Sequence, residues 1–227
     1  MSFRIGILIF PNIMQLDMTG PHEVFTKLPD TEVLLIWKTL APIEAGGGMR
    51  ILPDVTYETC PQLDLICVPG GGGMNSLLND TKTLDFIREK AKTARFVTSV
   101  CTGSLVLAAA GLLQGKRAAC HWMSREMLTE FGAIPDKSRV VIDGKFISGG
   151  GVTAGIDFGL TVASVVFGED IAKSIQLSIE YNPQPPFNSG SPEEADEVIV
   201  NATRSSASER QAERWDAVKR AVGKLPI

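Results

Sequence analysis

The stretch Arg95-Phe-Val-Thr-Ser-Val-Cys101-Thr-Gly-Ser-Leu-Val-Leu-Ala-Ala-Ala-Gly-Leu-Leu113 limits what this chain can fold into more than any other. Val97 to Val100 read as a short buried strand, and Leu105 to Leu113 are strong helix formers. Cys101 falls on the junction between them. A tight strand-to-helix turn crowds the positions two before and two after its apex, so those residues must be small, and here they are Ser99 and Gly103. The pattern is a nucleophile elbow with sulfur at its tip.

Such a place suits a reactive thiol. The first N–H groups of a helix lack intrahelical partners and point positive charge toward it, so the spacing predicts a thiol of lowered pKa, partly ionised at neutral pH. The other reading is a buried cysteine that only fills space.

Composition removes several classes of function. A formal net charge of −4 gives no basic face for nucleic-acid phosphates. The longest apolar run falls well short of the ~20 residues that span a bilayer, so neither nucleic acid nor membrane is an expected partner. Cys60, Cys67, Cys101 and Cys120 are widely spaced, and His22 and His121 are the only histidines, so no metal site is predicted. The opening residues run into a strand without a signal-peptide pattern, and the expected location is cytoplasmic, with reduced thiols.

Strands and helices alternate along the rest of the chain. Phe3 to Phe10 read as a buried parallel strand ended by Pro11, with a loop to Thr19-Gly20-Pro21, where proline suits a first helical position. Asp17 then lies between a strand's carboxyl end and a helix, the edge of an open α/β sheet where ligands bind, although aspartate also serves as a helix cap. Leu63 to Val68 form another strand, followed by Pro69 and Gly70 to Gly73. Trp122 to Phe131 read as a helix closed by Gly132, Val140 to Ile147 as a two-residue hairpin with Asp143-Gly144 at its centre, and Ser148-Gly-Gly-Gly151 precedes an apolar helix from Thr153 to Phe167. Gly71 and Gly72 of the first run, and Gly150 and Gly151 of the second, are candidates to line a substrate pocket and offer backbone N–H groups. His121, ending a short strand from Arg117 to Cys120, could serve Cys101 as a base or be a structural histidine. Residues 1–181 are expected to form an α/β domain. Residues 182–227 read as an extended arm and a C-terminal helix that packs on a dimer partner.

Several segments together resemble the DJ-1/PfpI superfamily and, within it, the isocyanide hydratases. They are Gln15-Leu-Asp17-Met-Thr-Gly-Pro-His22, Pro69-Gly-Gly-Gly-Gly73, Ser99-Val-Cys-Thr-Gly-Ser-Leu-Val106, Gly111-Leu-Leu-Gln-Gly-Lys-Arg117, His121-Trp122, Gly149-Gly-Gly-Val-Thr-Ala-Gly-Ile-Asp-Phe158 and Pro185-Pro-Phe-Asn-Ser-Gly-Ser-Pro192. The resemblance implies a homodimeric flavodoxin-like α/β fold, a largely parallel sheet with helices on both faces. It also implies hydration of an isocyanide R–NC by water to the N-substituted formamide without a cofactor, with Cys101 as nucleophile, Asp17 as acid/base and Thr102 beside them.

Departures from related groups narrow the choice. Peptidase relatives carry histidine after the nucleophile where this chain has Thr102, and DJ-1-like and glyoxalase-like members usually carry glutamate where it has Asp17. The alternatives are a redox or stress-response protein sensing oxidation at Cys101, and a glyoxalase or hydrolase that would need a histidine such as His121.

Overall fold

The apolar runs become the inner strands of one sheet, buried on both faces, as Ile5, Ile7, Leu65, Ile66 and Val97 are. The computed structural model describes residues 2–224. In chain order the strands are β1 (Phe3–Leu8), β2 (Thr31–Trp37), β3 (Ile43–Glu44), β4 (Arg50–Ile51), β5 (Val55–Thr56) and β6 (Leu65–Val68). Then come β7 (Phe96–Val100), β8 (Arg117–Ala119), β9 (Ile134–Asp136), β10 (Val140–Asp143) and β11 (Phe146–Gly149). Seven of them form the main sheet in the order β10-β11-β7-β6-β1-β2-β5, in which only the β10/β11 hairpin is antiparallel. The turn of that hairpin carries Gly144 at φ 61, as the Asp143-Gly144 pair predicts.

Around the sheet lie α1 (Gln15–Phe25), α2 (Met74–Leu77), α3 (Thr81–Thr93), α4 (Gly103–Ala109), a 3-10 turn at Arg125–Phe131, α5 (Ala154–Phe167), α6 (Glu169–Ser178), α7 (Glu197–Ser206) and α8 (Ser208–Val222). Helix α1 packs on α5, whereas α4 packs on α3, α8 and the 3-10 turn. The chain therefore has the predicted α/β architecture, a mostly parallel sheet with helices around it.

Two local expectations change. Helix α1 begins at Gln15, not at Pro21, which sits inside it. Proline there only removes the N–H that would bond to the Asp17 carbonyl one turn back, and the buried Met18, Val24 and Phe25 hold the helix in place. Asp17 is thereby in the first turn of a helix. The stretch from Trp122 to Phe131, expected as a helix, is a 3-10 turn over Arg125–Phe131 only, closed by Gly132 at φ 72.

The last helix also has a role in its own chain. Ala217, Val218 and Ala221 of α8 belong to the main core, and the helix lies against α2, α4 and the 3-10 turn. No helix among the described residues is long and apolar enough to cross a membrane.

Candidate active site

Strand order sets the position of the site. The chain runs outward from β1 to β2 and β5, then returns to β6 on the other side of β1, so the loops after β1 and β6 diverge at their carboxyl ends and leave a crevice. Three segments meet there: Pro11 to Asp17 after β1, Pro69 to Gly73 after β6, and Cys101-Thr102 after β7.

Cys101 has φ 58, a left-handed conformation that non-glycine residues rarely adopt. Strain of about 1–3 kcal/mol at such a residue persists only where the surroundings enforce it. Here the Cys101 N–H donates to the Gly149 carbonyl at 3.0 Å, and the Ser104 hydroxyl donates to the Cys101 carbonyl at 3.2 Å. Glycine at position 103 is obligatory, because a Cβ there would stand 1.9 Å from the Val68 carbonyl oxygen.

Asp17 is fully buried. The Gly70 N–H donates to its Oδ2 at 3.0 Å, and the Gly71 N–H donates to Thr102 Oγ1 at 3.2 Å. Asp17 Oδ1 is buried without a hydrogen-bond partner among the described residues. Burial raises the Asp17 carboxyl from 3.8 to about 7, against the opposing influence of the Cys101 thiol and the Gly70 N–H.

The thiol departs from the sequence-based expectation. Cys101 is only 5% exposed, and burial together with the negative charge of Asp17 pushes its thiol well above the ordinary value. The Thr102 N–H acts in the opposite direction, and its influence is smaller. A lowered pKa would need the helix N-terminus to outweigh desolvation, and α4, only seven residues long, does not achieve it. The resting pair is therefore a protonated thiol beside a carboxyl poised near neutrality.

Cys101 and Thr102 open onto a cavity of about 200 Å³. Met14, Gly71, Gly72 and His121 line it with them, and Met123, Val152, Arg210, Gln211 and Arg214 complete the wall. Of the second glycine run, Gly150 spends its N–H on the Arg139 carbonyl at 2.8 Å, and a Cβ at Gly151 would meet His121 Cδ2 at 3.6 Å. Neither glycine lines the cavity. Burial and the charges of Arg214 and Arg210 push the His121 imidazole down to about 4. Its Nδ1 accepts from the Met123 N–H at 3.4 Å, which leaves the proton of the neutral ring on Nε2. Among the described residues no cluster of three or more His, Cys, Asp or Glu side chains could hold a metal ion.

Sequence reasoning missed Gly70, Arg210, Gln211 and Arg214. The Pro-Gly-Gly-Gly-Gly run contained the signal for Gly70 but not the register. The residues on α8 had no signal, because a polar terminal helix shows its inner face only once it has docked.

Residues 3–165 match the DJ-1/PfpI family. The chain belongs to that family. Among its DJ-1/PfpI relatives is a Pseudomonas putida protein described as isonitrile hydratase, 52% identical over 227 residues that cover the whole of both chains. The crystal structure of a ThiJ/PfpI family protein from Pseudomonas syringae superposes with a TM-score of 0.93 at 38% identity, covering 96% of this chain and 91% of that one. Drosophila melanogaster DJ-1beta shares the fold at a TM-score of 0.72 and 20% identity, covering 79% of this chain and 98% of the other.

Proposed function

We propose that the chain is an isocyanide hydratase, converting R–NC and water into the formamide R–NH–CHO through a covalent intermediate on Cys101. One observation carries the chemistry: a buried carboxyl with a pKa near 7 stands beside a strained cysteine that lines a small, largely apolar cavity. The P. putida relative supports the choice of substrate.

The raised thiol pKa shapes the first step. As sulfur attacks the terminal isocyanide carbon, its proton passes to the Asp17 carboxylate, and Asp17 then delivers it to that carbon, giving the thioimidate Cys101–S–CH=N–R. The carboxylate, ionised again, removes a proton from water as the hydroxyl adds to the same carbon. That proton goes to the imine nitrogen. Loss of the hydroxyl proton to the departing sulfur closes the formamide carbonyl and restores the thiol. Asp17 acts as base and acid alternately, for which a pKa near the working pH is the best compromise.

Thr102 supports the sulfur: its hydroxyl is held by Gly71 and its N–H faces the thiol. Nothing in the scheme needs a cofactor. His121 serves as a neutral wall, since a base near pKa 4 is too weak to take a proton from this thiol.

The redox reading is less well supported. Oxidation by peroxide proceeds through the thiolate, and burial together with the charge of Asp17 pushes the Cys101 thiol up. Homodimerisation is part of the proposal, through the strongly exposed Leu177, Phe187 and Val198 of α6, the arm and α7. Incubation with 4-nitrophenyl isocyanide, followed by NMR, tests the activity. Formamide should accumulate catalytically. Unchanged isocyanide in the presence of folded protein would overturn the proposal.

A further inference from the structure

The cavity wall opposite in origin to the sheet edge comes from α8, and its charge is unexplained by the chemistry above. Arg214 is 5% exposed. Its Nε donates to Asn75 Oδ1 at 2.9 Å and its Nη1 to Ser124 Oγ at 2.8 Å, both neutral acceptors, and its Nη2 makes no hydrogen bond among the described residues. Arg210, one turn earlier on the same helix, lines the same cavity. Neither arginine has a carboxylate within 4.0 Å among the described residues. None of the residues lining the cavity is acidic.

A guanidinium stays protonated at any ordinary pH, and burying it without a counter-charge costs several kcal/mol. Buried charges are retained where something pairs with them. Asp17 is not that partner: its anion is favoured by the Cys101 thiol and the Gly70 N–H. We propose that Arg214, assisted by Arg210, binds a carboxylate carried on the R group, so that the site prefers anionic isocyanides, of the isocyano acid class, over neutral ones.

The inference rests on the hydratase reading and specifies its substrate. A planar guanidinium with a free Nη2 suits the fork of a carboxylate. The neutral His121 ring adds an N–H donor to that wall and no competing charge. The carboxylate takes no part in bond making. It holds the molecule by one end while the isocyanide carbon meets Cys101, and a cavity of about 200 Å³ restricts the spacer to a few atoms.

Isocyanoacetate and its methyl ester form a matched pair for the test. In the unmodified protein kcat/KM should favour the acid, and Arg214→Gln should reduce that acid-to-ester preference by at least about tenfold, chiefly through KM. An unchanged preference, with both substrates slowed alike in a folded variant, would overturn the proposal. If Arg214→Gln does not fold, the exposed Arg210→Gln replaces it: a drop in preference of about two- to fivefold, weakened by added salt, supports the proposal, and no change overturns it. Calorimetry with N-formylglycine, the product of hydrating isocyanoacetate, separates this from the parent reading. If the unmodified protein hydrates neither isocyanide, the hydratase reading fails, while affinity for N-formylglycine lost in Arg214→Gln still supports a carboxylate site, and equal affinity overturns it.

Discussion

The two sides of the cavity differ in how they are built. On the sheet side, Asp17, Gly70, Cys101 and Thr102 are held by short backbone contacts from three strand ends, and a conformationally strained cysteine is part of the arrangement. On the α8 side, long side chains reach in from a helix docked through Ala217, Val218 and Ala221, and Arg214 is steadied by Asn75 and Ser124. The first side has no tolerance for added atoms. The second is adjustable, and under the proposed function the contrast assigns the reaction to the sheet edge and the choice of R group to the helix.

The strongest way to break that division is to remove the proton carrier. Asp17→Asn keeps the shape and should lower kcat/KM for a neutral isocyanide by about 10²–10⁴-fold, the usual range for a general acid–base residue; activity within about threefold of the unmodified protein would exclude it from the reaction. In the unmodified protein kcat/KM should rise with pH through about 7, as Asp17 ionises to accept the thiol proton, and the variant should lose this inflection. A flat profile between pH 5 and 8 would contradict the role.

Gly70→Ala comes next. Its Cβ would fall 2.5 Å from Thr102 Oγ1 and 2.9 Å from Asp17 Oδ2, so the pair must separate, and a fall of about 10²-fold is expected from misplacement on the ångström scale. Unaltered kinetics would show that this contact does not set the geometry.

A smaller effect is in stability. The Asp17 carboxyl rises from 3.8 to about 7 on folding, so the folded chain binds that proton more tightly than the unfolded one. Its contribution to stability is therefore greatest below about pH 4, falls as pH rises through the interval and levels off above about 7. Asp17→Asn removes the dependence, and its Tm relative to the unmodified protein should be higher at pH 8 than at pH 4. An equal difference at both pH values would contradict the burial argument. The least effect is expected at His121: His121→Phe should change kcat for a neutral isocyanide by less than about threefold, since a base near pKa 4 transfers little at neutral pH, and a hundredfold loss would reinstate it as a base.

Legibility in the sequence follows the same division. The strands, the Asp143-Gly144 hairpin and the Ser99-x-Cys101-x-Gly103 turn were readable because each is fixed by local sterics: a glycine forced by the Val68 carbonyl, small residues at an apex, runs of β-branched side chains. The thiol's pKa was not, because the favourable N–H of Thr102 is local whereas burial and the charge of Asp17 come from residues far away in sequence. Pro21 misled for the same reason, as packing on α5 keeps α1 helical through it. Arg214 was invisible because it becomes a buried charge only after α8 docks across residues 75 and 124.

Trapping the intermediate tests the central claim most directly. The protein is mixed with an aryl isocyanide, quenched in acid within milliseconds to seconds and weighed intact, alongside Cys101→Ala. An added mass of one isocyanide on Cys101 should form and decay as formamide appears, with neither adduct nor product in the variant. Formamide produced by Cys101→Ala at the rate of the unmodified protein would contradict it.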